Sequence, residues 1–112
     1  QGAGWLTIEE VNWKPNGELT THSPSTYKIP AVNDMPEKFI VKNFRNLNKE
    51  NVVNKSKTTG EPPLMLGMSV FFAIKDAISS TTNYKVIPNL NAPATPEAIL
   101  LSINYIKKKY EK

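Results

Sequence analysis

Apolar residues gather most densely between Pro62 and about Ser79. Leu64, Met65, Leu66, Met68, Val70, Phe71, Phe72, Ile74, Ala77 and Ile78 are broken only by Gly67, Ser69, Ala73, Lys75 and Asp76. Wound as a helix, they cover most of its circumference, a pattern that belongs between other elements rather than on a surface. The rest of this short chain has too little apolar material to cover such a helix, so a partner surface is expected. Gly67 costs roughly 1 kcal/mol relative to alanine inside a helix. On so apolar a segment, its expected use is the close approach of another backbone.

A second helix is expected from Pro96 to about Lys109. Thr95 supplies an N-cap, Pro96 the first helical position and Glu97 a first-turn acid. Ile99, Leu100, Ile103 and Ile106 repeat at three- and four-residue spacing, and Lys107 to Lys109 fall where the helix dipole favours cations. Ahead of the long helix the pattern is weaker. Trp5 to Trp13, preceded by Gly2 and Gly4, could close a helix and run into a strand, and Lys14-Pro15-Asn16-Gly17 is a turn signal between two hairpin arms, Val11 to Trp13 and Glu18 to Thr20. Residues 21–36, with Pro24, Pro30 and Pro36, read as an ordered loop with a short strand near Tyr27 to Ile29. Lys38 to Phe44 alternates in part and is the next strand candidate. Together these predict an α+β fold, a small antiparallel sheet with a long apolar helix over about 62–79 and a C-terminal helix over about 96–109.

Composition narrows the class. The 112 residues suit one small domain, and nine prolines with a 39% hydrophobic share point to a loop-rich one. No apolar run approaches the roughly 18 residues of a membrane span, and no basic region precedes an apolar stretch at the start. The chain opens on Gln1 without a methionine, and is expected to be a piece of a longer protein. Lacking cysteine and holding one histidine, His22, it has no usual soft ligands for a metal. The net charge of +4 is spread evenly over the two halves. Lys107 to Lys109 therefore read as a solvated helix tail rather than a nucleic-acid contact.

One carboxylate is set apart by its neighbours. Glu61 stands between the flexible Gly60 and two prolines, Pro62 and Pro63, which suit a first helical turn. It is thus expected at or beside an N-cap, at the positive end of the helix dipole, either as a placed acid or base or simply as a cap. Other candidates are weaker. His22 beside Ser23 lacks a carboxylate at an informative spacing, and Glu9 and Glu10, being adjacent, point in different directions. Trp5 and Trp13 are expected to pack in the core rather than to stack on a ligand.

Several of these segments, in order, resemble a known family. Gln1-Gly2-Ala3-Gly4-Trp5 with Glu9-Glu10, Ser25-Thr26-Tyr27-Lys28-Ile29-Pro30, Gly60-Glu61-Pro62-Pro63-Leu64, Ser69 to Ile78 and Pro93-Ala94-Thr95-Pro96-Glu97 are similar to the xanthine dehydrogenase and aldehyde oxidase family. The resemblance spans almost the whole chain. It looks like the C-terminal part of the molybdopterin-binding subunit, and Met65-Leu66-Gly67 leans toward the bacterial enzyme.

The resemblance implies a molybdenum hydroxylase that oxidises hypoxanthine and xanthine to urate with water as the oxygen source. Glu61 corresponds to the general base that takes the proton from the metal-bound hydroxide. Thr59 and Gly60 correspond to the turn lining the molybdopterin pocket, although Thr58-Thr59 stands where Ala-Val is usual. Residues 1–112 would then be a single C-terminal fragment of a molybdopterin-binding domain. Its partners would be the rest of that subunit and the portions carrying FAD and the 2Fe-2S clusters, in a cytoplasmic enzyme. Alone, the fragment is expected to hold no cofactor, to be inactive and to self-associate. An aldehyde oxidase of the same family, or a stand-alone interaction module without chemistry, are the alternatives.

Overall fold

Three helices organise the chain in a computed structural model, which describes residues 1–57 and 60–111. They are α1 (Gly2–Thr7), α2 (Pro62–Ser80) and α3 (Pro96–Tyr110), with short 3₁₀ turns at Val32–Asp34 and Val53–Lys55. The main chain of α2 begins directly after Glu61 with two prolines, and α3 is closed by the Thr95 side chain, which accepts the Ala98 amide at 3.2 Å. These starts are local: proline is tolerated where the amide has no intrahelical partner, and a threonine oxygen satisfies one that would otherwise be orphaned.

The expected antiparallel sheet does not form, and the fold among the described residues is helical rather than α+β. What remains of the hairpin is one antiparallel bridge, Trp13 to Leu19. Gly17 turns the chain there with φ of 85°, and its amide reaches the Lys14 carbonyl at 2.9 Å. Tyr27 to Ile29 and Lys38 to Phe44 are irregular, and Phe39, Ile40, Val41 and Phe44 are exposed. The physical reason is that alternation only proposes a strand. A neighbouring strand must accept its main-chain bonds, and none lies beside these segments among the described residues.

The core is small and lies at one end. Ile78 from α2, Ile106 from α3, and Leu90 and Ala94 from the connection are buried, with Phe71, Ile74, Ile99 and Ile103 packed against them. Toward the other end of α2, Leu64, Met65 and Leu66 are all exposed. Trp5 and Trp13, expected inside, are also exposed, because the core has formed away from them. Two lysines lie over aromatic rings of α3: Lys109, from the helix itself, places Nζ 4.7 Å from the Tyr105 ring centre, and Lys85, from the connection before it, places Nζ 5.4 Å from that of Tyr110.

Two measures express how much is left uncovered. The accessible surface is 9486 Å², whereas a self-contained globule of this mass has about 6,200 Å². The radius of gyration is 18.8 Å, against about 13 Å for a compact domain of this length. A chain with so few buried side chains has little stability to lose. We predict that Ile106→Ala, which empties a fully buried site, costs about 2–5 kcal/mol and leaves the isolated chain largely unfolded. Thr95→Ala should cost about 1 kcal/mol. Urea melts of the two variants test this, and equal midpoints would contradict the assigned core.

Candidate functional site

The N-terminal helix α1 is six residues long and joins three parts of the chain. Its Gly2 meets α2 at Gly67. A β-carbon built on Gly67 would stand 2.5 Å from the Gly2 carbonyl oxygen and 2.8 Å from its Cα, closer than real side chains come to a backbone. Gly67 is therefore used for the expected close approach, and Gly2 is the backbone that approaches. On α1 two residues further, Gly4 packs beneath the loop: a β-carbon there would lie 2.8 Å from Pro30 Cδ and Cγ and would strike the Glu9 carboxylate. The Leu6 carbonyl accepts the Ala94 amide at 2.7 Å, tying α1 to the segment that leads into α3.

Glu9 has a specific partner that sequence reasoning missed. Its backbone amide is held by the Gly4 carbonyl at 3.0 Å, and its side chain accepts a short hydrogen bond from the Tyr27 hydroxyl. This bond raises the Tyr27 pKa above the ordinary 10.0, with burial and the carboxylate charge acting in the same direction. Glu10 is exposed, so the two adjacent carboxylates do not form a paired site. The residues Glu9 and Tyr27 are 18 apart, and no periodicity links them.

Tyr27 also lines an open pocket of about 500 Å³ with Val11, Thr21, His22, Ser23, Pro24 and Ile29. His22 and Ser23 meet there, but the Ser23 hydroxyl is turned to Ser25 at 2.9 Å and Thr26 at 3.1 Å. With Glu9 engaged by Tyr27, the arrangement has neither the serine–histidine bond nor the orienting carboxylate that nucleophilic catalysis requires.

Glu61 stands apart from this cluster, immediately before α2. Its carbonyl accepts the amides of Leu64 at 3.1 Å and Met65 at 3.2 Å, committing its main chain to the helix. Its side chain makes no capping bond and is exposed. The capping role left open by the sequence is thus not taken up. Gly60 beside it faces open space, with no heavy atom within 4 Å of where a β-carbon would be. Thr59, the other residue assigned to the pocket turn, lies outside the described residues. No group of three or more His, Asp or Glu side chains gathers as a metal cage among the described residues. Among the described residues, the Glu61 carboxylate has no hydrogen-bond partner and stands next to an open glycine, so it is accessible to a group approaching from outside this chain.

Comparison with known proteins gives the class first. Residues 1–36, the segment containing α1, Glu9 and Tyr27, match the model of the molybdopterin cofactor-binding domain. The chain is also 46% identical to a xanthine dehydrogenase/oxidase of Felis catus over 88% of its length, and 41% identical to a xanthine dehydrogenase of Oryza sativa subsp. japonica over 98%. An aldehyde oxidase 1 of Bos taurus is 42% identical over 91%. The chain belongs to the xanthine dehydrogenase and aldehyde oxidase family. It spans 8–9% of the length of these relatives. All three are eukaryotic and lend nothing to the bacterial leaning of Met65-Leu66-Gly67.

The Glu9–Tyr27 bond makes a pH prediction. A phenol whose folded pKa is raised contributes stability that is fully present below its unfolded pKa, near 10, and lost as pH rises through the folded value. Tyr84 is raised as well, by the charge of Asp76, then by burial and their hydrogen bond. We predict that Tyr27 and Tyr84 titrate late by tyrosinate absorbance, and that Tyr27→Phe removes one late-titrating phenol. An unchanged titration curve in that variant would refute the pairing.

Proposed function

We propose that this chain is a C-terminal fragment of a molybdopterin-binding domain in a xanthine dehydrogenase-type enzyme, and that Glu61 is its general base. The observation that carries the reading is the state of Glu61: main chain fixed by the start of α2, side chain exposed and without a hydrogen-bond partner among the described residues, open space at Gly60. In the intact enzyme the molybdenum cofactor, when bound, supplies the oxygen transfer and the two-electron oxidation. The role of Glu61 is to accept the proton released as oxygen is delivered to an electrophilic carbon of hypoxanthine or xanthine. Such general-base action contributes on the order of 10² to 10⁴ in rate. Gly60 leaves room for the cofactor to come close, and Thr59 is assigned to the same turn by resemblance alone. Electrons would leave through FAD and 2Fe-2S centres in other parts of the enzyme.

Aldehyde oxidation is a second reading with its own support, since the aldehyde oxidase of Bos taurus is nearly as similar as the xanthine dehydrogenases. A stand-alone interaction module fits less well. The excess of accessible surface over that of a compact globule argues that the rest of a larger enzyme covers this chain.

Two outcomes are expected. In the intact enzyme, Glu61→Gln should leave molybdenum content unchanged and slow the reductive half-reaction at least a hundredfold; near-normal turnover would remove Glu61 from the role of base. The isolated chain should bind an apolar dye and sediment as concentration-dependent oligomers through the exposed face of α2. A dye-silent, monodisperse monomer would count against the missing partner surface.

A further inference from the structure

We infer that Gly67 is a positioning residue for Glu61, acting by seating α2 directly on the backbone of Gly2. The inference rests on the reading of Glu61 as base and extends it to a residue with no chemistry of its own. Glu61 and Gly67 are six residues apart, roughly 9 Å along a helix with a rise of about 1.5 Å per residue. Between them Leu64, Met65 and Leu66 are exposed, and a β-carbon on Gly60, on the far side of Glu61, would meet nothing within 4 Å. The core contacts of α2, through Phe71, Ile74 and Ile78, lie toward the opposite end. Among the described residues, the tight backbone contact nearest Glu61 is the one at Gly67.

That contact also has a defined far side. Gly2 lies in the segment matched as molybdopterin-binding, and α1 is itself held by Pro30 against Gly4 and by the Leu6–Ala94 hydrogen bond. The glycine crossing thus sets the base-bearing end of α2 against a segment assigned to the cofactor. A side chain at position 67 would meet Gly2 backbone at 2.5–2.8 Å, where ordinary heavy-atom contact is about 3.5–4.0 Å. The helices would have to part by about 1 Å, and a misplacement of that size at a reacting group can cost about 10²-fold.

The test uses the full-length enzyme with its cofactor, comparing Gly67→Val, the milder Gly67→Ala and Glu61→Gln. For Gly67→Val we expect molybdenum content and KM within twofold of wild type and kcat at least tenfold lower. A crystal structure of that variant should have Glu61 displaced relative to α1 by about 1 Å. Gly67→Ala should fall between it and wild type in both rate and displacement, and decides the matter if the valine variant does not assemble. Wild-type kcat despite a displaced Glu61 would overturn the inference, as would a side chain at position 67 accommodated with Glu61 unmoved. If Glu61→Gln alone retains full turnover, the assignment of the base fails instead, whatever Gly67 does.

Discussion

Gly2 and Gly67 bring the main chains of α1 and α2 closer together than any side chain would permit. Much of the described architecture depends on that crossing. The helix α1 is too short to be stable alone, since isolated helices below about 12 residues are marginal in water. It persists because Gly2 lies on α2, Gly4 lies under Pro30, and the Leu6 carbonyl holds Ala94. Through these contacts the N-terminal segment, the long helix and the approach to α3 become parts of one arrangement, although the hydrophobic core occupies only the α2–α3 end.

The same constraint explains how structure and chemistry are divided along α2. Its C-terminal half contributes Ile78 to the core with Phe71 and Ile74 against it, while its N-terminal half carries Glu61 and exposed apolar residues. In the proposed enzyme, that end has to remain open on the side where the cofactor and substrate arrive. The uncovered surface, half again that of a compact globule of this mass, has the same origin in the proposed enzyme: most of the surrounding protein lies outside this chain.

How much of this was legible in the sequence depended on whether the cause was local. The two long helices were, because Pro62, Pro63, Thr95 and Pro96 act within a turn of their own position. Gly67 signalled a close approach through its cost in an apolar helix, although nothing in the pattern named Gly2 as the partner. The sheet was misjudged because Lys38 to Phe44 and Tyr27 to Ile29 carry strand-like residues without a neighbour to pair with, leaving one bridge at Trp13 and Leu19. Trp5 and Trp13 were misjudged for a related reason: large aromatics are expected in a core, and this chain's core is confined elsewhere. The Glu9–Tyr27 bond was invisible because it joins residues through the tertiary fold alone. For Glu61 the local signal, a glycine on one side and two prolines on the other, placed its main chain at the start of α2.

The central claim is that the start of α2 holds Glu61 ready to meet a molybdenum cofactor supplied by the rest of the enzyme. A crystal structure of the intact, cofactor-loaded enzyme with a slow substrate bound tests it most directly. The account predicts a Glu61 carboxylate oxygen within about 2.6–3.2 Å of the oxygen to be transferred, with Gly2 still seated on Gly67. A Glu61 side chain turned away from the cofactor, with another residue occupying that hydrogen-bonding position, would contradict it.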